Sequence, residues 1–173
     1  MNEHLNNLFS SVMENNKQRI LRICWAYSHN IEDQKDLLQE VALNIWKSLP
    51  SFRDHAHVNT WVYRIALNVC MQYALKLSKT KSVTGEIEGI SIQDEADLEQ
   101  NLEQTENTKK LFEAISQLSP TEKALVLLYL EDLPYKVIAQ ITGIKESYVA
   151  VQMNRIKKKL YNHFNDKQWT TIS

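Results

Sequence analysis

The chain has 173 residues, enough for one domain or two small ones, and its formal net charge of −1 with a pI near 6.5 excludes a uniformly basic nucleic-acid-binding protein. The longest apolar run, residues 124–130, is far shorter than the ~20 residues that span a bilayer, and the N-terminus lacks a secretory signal. We therefore expect a cytoplasmic protein without membrane insertion. Three Gly, three Pro and long stretches of helical periodicity predict an all-α fold.

Three amphipathic helices are predicted in the first half of the chain. The first covers about residues 5–28 and the second about residues 33–48, where Leu49-Pro50 ends it. The third begins near residue 60 after a loop. One apolar face of the third helix carries Trp61, Ile65, Val69, Tyr73 and Leu77. We assign residues 5–78 to a first small domain.

A strongly acidic segment follows this domain. Residues 82–108 contain eight Asp/Glu and no Lys/Arg, net −8, whereas residues 1–81 (ten Lys/Arg, seven Asp/Glu) carry +3 and residues 109–173 (ten and six) carry +4. The segment lacks the apolar density of a core, so residues 79–104 are predicted to be a linker between two domains. Two basic blocks around an acidic connector suggest nucleic-acid contact at both ends of the chain.

Four helices are predicted in the second domain, residues 105–164, before a tail at 165–173. Ser119, Pro120 and Glu122 form the pattern of a capping box at the start of the second of these helices. The helices cover about residues 105–118, 121–130, 134–142 and 146–164. The last two, joined by a short turn at Gly143, have the spacing of a helix-turn-helix motif.

The last helix has a buried stripe and a polar outer face. The buried stripe is predicted to be Val149, Met153, Ile156 and Leu160, and the outward residues are Ser147, Tyr148, Ala150, Val151, Asn154, Arg155 and Lys158. In a DNA-binding motif of this kind the second helix enters the major groove. The alternative is a helical hairpin with a solvated basic end.

No residue pattern indicates catalysis or a cofactor. Cys24 and Cys70 lie far apart within apolar helical patterns and are predicted to be buried reduced thiols. Two histidines near Asp54 lack a fourth ligand in the sequence, so no metal site is expected. Without a nucleophile and base or a phosphate-binding glycine loop, we expect no enzyme.

Two stretches resemble one protein family. DLLQEVALNIWKSLPSFR (36–53) followed by TWVYRIALNV (60–69) resembles region 2, the promoter-melting domain of bacterial sigma factors. Residues 117–160, QLSPTEKALVLLYLEDLPYKVIAQITGIKESYVAVQMNRIKKKL, resemble region 4, which reads the upstream promoter element. This order, with an acidic linker between the regions, is similar to the extracytoplasmic-function (ECF) group. The resemblance implies a sigma factor that binds core RNA polymerase, recognises promoter elements and assists DNA melting.

The resemblance implies three sets of binding residues. Polymerase docking, on the clamp helices of the β′ subunit, falls to Asp36, Gln39, Glu40 and Asn44, while the β flap is a further implied contact. Single-stranded promoter DNA would be bound and melted by Arg53, His55, His57, Asn59, Arg64, Asn68, Gln72 and Lys76. Upstream duplex DNA would be read by Ser147, Tyr148, Asn154, Arg155 and Lys158, with Lys157 and Lys159 as further phosphate contacts. Trp25, Trp46 and Trp61 are interpreted as core residues rather than stacking platforms.

Some positions depart from the family pattern and leave alternatives open. Gln72 stands where Asp is common, and Ala150, Val151 and Gln152 replace common polar or basic residues; Ala150 and Val151 could at most contact thymine methyl groups. The acidic linker is either a nucleic-acid mimic in the polymerase cleft or a spacer. The alternatives for the whole chain are a free-standing helix-turn-helix regulator with a partner-binding first domain, or an anti-sigma-like adaptor. An anti-sigma factor as a partner is also left open.

Overall fold

The computed structural model describes residues 2–53, 57–84 and 106–170, and every regular element in these ranges is a helix. This confirms the all-α prediction. The chain divides into two compact units between residues 102 and 103. The elements are α1 (Asn2–Tyr27), α2 (Ile31–Ser48), a 3-10 turn (Leu49–Ser51), α3 (Val58–Thr84), α4 (Glu106–Ser116), α5 (Pro120–Leu130), α6 (Tyr135–Thr142) and α7 (Glu146–Thr170).

In the first unit, α1, α2 and α3 pack against one another around a single core. The fully buried face of α3 is rotated from the apolar face that the sequence indicated. Trp61, Ile65, Val69, Tyr73 and Leu77 are only half-buried. The fully buried face consists of Val62, Tyr63, Ala66, Leu67 and Cys70. The small Ala66 and Cys70 in this set allow α3 to approach its neighbours closely, while Trp61 is only half-buried.

The start of α2 is fixed by a cap and by a contact from α3. The Asn30 side chain accepts a hydrogen bond from the backbone N–H of Asp33 at 2.8 Å, so the helix begins at Ile31, two residues before the predicted start. Burial, together with a hydrogen bond to the Asp33 carboxylate, raises the pKa of Tyr73 on α3. Tyr73 therefore stays protonated and holds the first turn of α2 against α3.

Cys24 of α1 and Cys70 of α3 are both fully buried free thiols, as predicted. A hydrogen bond with Cys24 and burial in the apolar core raise the pKa of the Cys70 thiol. Since the thiolate is the reactive form, Cys70 is chemically inert while the unit is folded.

The second unit follows its predicted local signals closely. Ser119 and Glu122 form the reciprocal capping box at the start of α5, with Pro120 in its first turn. Gly143 ends α6 with φ at 73°, a left-handed conformation that favours glycine, and its N–H bonds to the carbonyl of Ala139. The core consists of Phe112, Ile115, Leu125, Leu128, Ile138, Val149, Met153 and Ile156.

Two helices extend beyond the predicted domain ends. α3 continues to Thr84, six residues past 78, with the Thr80 hydroxyl donating to the carbonyl of Lys76 at 3.0 Å. α7 continues to Thr170, into the predicted tail. Most of the predicted linker lies outside the described residues. Along the described chain, none of the helices combines the length and the apolar character needed to cross a bilayer.

Candidate functional site

Helix α2 presents a mixed polar and apolar outer face. Of the four predicted docking residues, Asp36, Gln39 and Glu40 are exposed and Asn44 is half-buried. The Asn44 amide donates to the carbonyl and carboxylate oxygens of Glu40 at 2.8 and 3.1 Å. The opposite side of the helix places Leu37, Val41 and Ile45 in the core. The three exposed polar side chains therefore belong to a helix whose orientation is set by its buried side.

Two apolar side chains on this outer face were missed by the sequence analysis. Leu43 is 43% exposed, and its spacing from Asp36 and Glu40 places it between the polar residues. Trp46 is 39% exposed, which corrects its assignment to the core, and its ring makes an edge contact with Phe9, centroids 5.3 Å apart. The spacing of Leu43 from the polar set was the sequence signal that could have identified it. We call these residues the α2 outer face: Asp36, Gln39, Glu40, Leu43 and Trp46.

The loop between α2 and α3 is anchored by an aromatic pair. Phe52 stacks on Trp61 with ring centroids 4.4 Å apart and an interplanar angle of 24°, and its N–H bonds to the carbonyl of Leu49. Arg53, His57 and Asn59 are exposed beside this anchor. His55 lies outside the described residues. The stack fixes Phe52 and Trp61, which lie within a few residues of three predicted DNA-binding residues in the sequence.

Helix α3 presents the remaining predicted residues of the first unit on one side. Arg64, Asn68, Gln72 and Lys76 are all exposed, and their spacing of four residues aligns them along the helix. Leu75 is also exposed and lies within this row. The row begins five residues after Asn59, more than one turn further along α3. We call Arg64, Asn68, Gln72 and Lys76 the α3 outer face.

Helix α7 separates its buried and outward residues as predicted. Val149, Met153 and Ile156 are fully buried, while Leu160 is half-buried. Ser147, Tyr148, Asn154, Arg155 and Lys158 are all exposed. We call these five residues, together with Val151, the α7 outer face. Their exposure gives them the access to a ligand that base or phosphate contact requires.

The three consecutive lysines of α7 point in different directions. The Lys157 ammonium lies over the Tyr129 ring, 4.6 Å from its centroid, and Lys159 pairs with the carboxylate of Glu122 on α5. Lys158 is exposed on the α7 outer face. Two of the three predicted phosphate contacts are thus engaged within the second unit, and Lys158 is the best placed of the three for a polyanion.

Glu122 joins a helix cap to an ion pair, which predicts a pH-dependent stability. Burial tends to raise the pKa of Glu122, but hydrogen bonds from Lys159 and the Ser119 backbone outweigh it and hold the pKa below 4.5. A carboxyl group with a lowered pKa stabilises the folded state above its unfolded pKa, and this contribution is lost as the pH falls through the folded pKa.

We expect Glu122→Gln to lower the free energy of unfolding by about 1 kcal/mol at pH 7, because glutamine keeps the cap but loses the charge. Denaturant titrations of both chains at pH 7 and pH 3 measure the difference, which should be smaller at pH 3. Lys158→Ala, on the solvent side of α7 next to Lys159, should leave stability unchanged. An equal Glu122→Gln effect at both pH values would show that the charge is unimportant.

No group of three or more His, Cys, Asp or Glu within the described ranges is arranged to hold a metal ion.

Comparison with known proteins identifies relatives for each unit. The family description "Sigma-70 region 2" matches residues 12–80, and "Sigma-70, region 4" matches residues 108–160. The first match contains the α2 and α3 outer faces, and the second contains the α7 outer face. All three outer faces therefore lie within regions that match a sigma-70 family description.

Relatives of similar length match most of the chain. The RNA polymerase sigma factor YlaC of Bacillus subtilis is 28% identical over 145 residues, covering 83% of this chain and 84% of YlaC. The sigma factor SigV of the same organism is 26% identical over 153 residues, covering 87% of each. A solved structure of the sigma factor RpoE with the anti-sigma factor NepR, from Bartonella quintana, has a TM-score of 0.69 at 17% identity and covers 88% of this chain and 95% of RpoE.

Proposed function

The chain belongs to the ECF group of sigma-70 factors, the promoter-recognising subunits of RNA polymerase, and we propose which of its surfaces perform each step of initiation. We assign polymerase docking to α2, strand opening to the 52–59 loop with α3, and upstream recognition to α7. In this scheme the protein recruits and positions other molecules and performs no catalysis of its own. Its task on core polymerase places it in the cytoplasm.

The α2 outer face has the composition of a docking surface. Protein interfaces concentrate binding energy in a desolvated apolar centre with a polar rim. Leu43 and Trp46 supply the apolar part and Asp36, Gln39 and Glu40 the rim. Because the Tyr73–Asp33 hydrogen bond and the buried side of α2 hold the helix in place, little conformational entropy is lost on docking. The proposed partner is the β′ clamp helices.

The loop and the α3 outer face suit single-stranded DNA. An extruded base costs a few kcal/mol of unstacking, which a pocket for the base can offset. Arg53 and Asn59 lie beside the fixed Phe52–Trp61 stack, where a flipped base could be bound by hydrogen bonds. Arg64 and Lys76 on the α3 outer face can follow the phosphate backbone of the melted strand. The proposed substrate is the downstream promoter element in its opened form.

The α7 outer face suits duplex DNA but carries little charge. Arg155 and Lys158 are exposed on it, whereas Lys157 and Lys159 contact other parts of the second unit. Few phosphate contacts give weak binding at physiological salt. Tethering both units over one promoter through core polymerase would compensate for this weakness by raising the effective concentration of each. We therefore propose that promoter affinity is a property of the holoenzyme.

Anti-sigma factors are proposed as further partners. The solved structure of the sigma factor RpoE is a complex with the anti-sigma factor NepR. A structure of CnrH in complex with the cytosolic domain of CnrY has a TM-score of 0.64 at 14% identity. This chain has the same fold as RpoE and CnrH. An anti-sigma factor would compete with polymerase most directly at an exposed apolar surface such as the α2 outer face.

The strongest support for the proposed function is that the chain contains both sigma-70 regions, one in each compact unit. The test compares binding to promoter duplex by the free chain and by the chain mixed with core polymerase. We expect the chain to co-elute with core polymerase and to bind specifically only in that complex. Tight, sequence-specific binding by the free chain, with no co-elution, would instead identify a stand-alone helix-turn-helix regulator.

A further inference from the structure

Val151 lies at the centre of the α7 outer face and is 48% exposed. It is two residues from the fully buried Val149, about 200° around the helix axis, and therefore points directly away from the core. About half of this aliphatic side chain is therefore open to solvent or to a ligand. Exposed residues surround it within about two turns: Ser147, Asn154, Arg155 and Lys158.

The chemistry of a valine restricts what it can recognise in the major groove. Thymine presents a methyl group there beside its O4 acceptor, whereas the other bases present only hydrogen-bond donors and acceptors. A donor or acceptor facing Val151 would lose its water without gaining a partner, which is unfavourable. A thymine methyl group placed against Val151 would instead bury apolar surface on both sides.

Tyr148 enlarges the apolar area around Val151. It lies three residues earlier, on the adjoining side of α7, and is 50% exposed. Its ring can contact a methyl group on a neighbouring base while its hydroxyl remains in water or near a phosphate. The two side chains, three residues apart on α7, together form an apolar patch on the α7 outer face.

The charges around this patch favour DNA over a protein as its occupant. Arg155 and Lys158 border Val151 on the same face, and Lys145 is exposed just before the helix. Such cations can neutralise phosphates but carry no sequence information when they do so. An apolar centre with cationic neighbours matches a thymine-bearing groove between two phosphate backbones.

We infer, on the basis of the proposed function, that Val151 and Tyr148 recognise thymine 5-methyl groups in the upstream promoter element. Val151 is then a specificity-determining residue, and at least one base pair of the element is a thymine read through its methyl group. The usual polar readout is confined to Asn154 and Arg155.

The test replaces thymine by uracil, which differs only in lacking the methyl group. Holoenzyme assembled from the full chain and core polymerase first selects an upstream element from randomised duplexes. Each thymine of the selected element is then replaced singly by deoxyuridine, and binding is measured again. We expect one or two positions at which uracil weakens binding about fourfold, the effect of one buried methyl group.

The variant Val151→Ala should remove the uracil effect at one of these positions, because the contact is already lost. The exposed site and the good helix propensity of alanine keep α7 intact. Leu130→Ala, an exposed apolar residue outside α7, is the matched control and should preserve the effect.

Three results overturn the inference while leaving the proposed function in place. The first is a selected element without thymine, and the second is unchanged binding when uracil replaces any thymine. The third is a uracil effect that persists in Val151→Ala, which would assign the valine to another contact such as a protein partner. Failure of the chain to bind core polymerase, or of the holoenzyme to select any upstream element, would instead reject the proposed function and this inference with it.

Discussion

Leu43→Asp should weaken binding of the chain to core RNA polymerase at least tenfold. Burying a leucine side chain at an interface is worth roughly 1.5–3 kcal/mol, and a carboxylate in its place also has to be desolvated. A tenfold change in affinity corresponds to about 1.4 kcal/mol, so the lower limit requires only part of this effect. Co-elution with core polymerase, and titration of core into labelled chain, measure the change.

The control for this prediction is Leu75→Asp on α3. Leu75 is also an exposed leucine within a helix, so the two variants share the same modest cost in helix propensity. We expect Leu75→Asp to bind core polymerase normally and both variants to keep their helical content by circular dichroism. Gln39→Ala combined with Glu40→Lys tests the polar rim and should also abolish co-elution. Normal binding by Leu43→Asp and by the double variant would reject the α2 outer face as the docking site.

A pre-melted promoter should distinguish the two DNA-binding surfaces. Arg53→Ala with Asn59→Ala should leave duplex recruitment nearly intact but impair strand opening, because a base-capture pocket acts only on extruded bases. Arg155→Ala should cost roughly 1–3 kcal/mol of upstream binding and relax preference at one base pair. Transcription from a promoter with a pre-melted bubble should therefore recover in the loop variant and remain low in Arg155→Ala.

Equal rescue of both variants by the bubble, or rescue of neither, would contradict this division of labour. Lys158→Ala provides a comparison on α7. It should weaken upstream binding to all sequences alike and lower the salt dependence, since a phosphate contact carries no base preference. Abortive initiation assays at two salt concentrations separate these outcomes without requiring full-length transcripts.

Local signals in the sequence predicted the fold of the second unit well. The Ser119–Glu122 capping box and the Gly143 turn each involve residues within a few positions of one another, so the sequence alone contains the interaction. The same holds for the segregation of α7 into buried and outward sides, because its spacing repeats over several turns. The roles assigned to its outward residues remain predictions.

Contacts between helices were harder to predict. On α3, Trp61 was expected in the core, but it is only half-buried, and the small Ala66 lies on the fully buried face instead. Close helix packing selects small side chains, and which face is packed depends on the neighbouring helices. The exposure of Leu43 and Trp46 was missed for the same reason. Hydrophobicity alone does not show which apolar residues pack in the core and which remain on the surface.

The engagement of Lys157 and Lys159 depends on residues distant in sequence. Tyr129 and Glu122 lie more than one helix earlier in the chain, so the spacing of the three lysines could not distinguish them. Their equal charges had suggested equal access to phosphates. The second unit thus presents fewer available cations than its composition implies.

The reactivity of the two buried thiols reports local opening of the first unit. Cys24 and Cys70 are the protein's two cysteines, and none occurs in the sequence of the second unit. A thiol-modifying reagent can react only when α1 and α3 separate, so its rate reports the opening of that bundle and nothing in the other unit. Polymerase bound to the proposed docking face on α2 would slow this thiol modification by stabilising the helix bundle. The native chain can therefore report partner binding to its first unit without an added label.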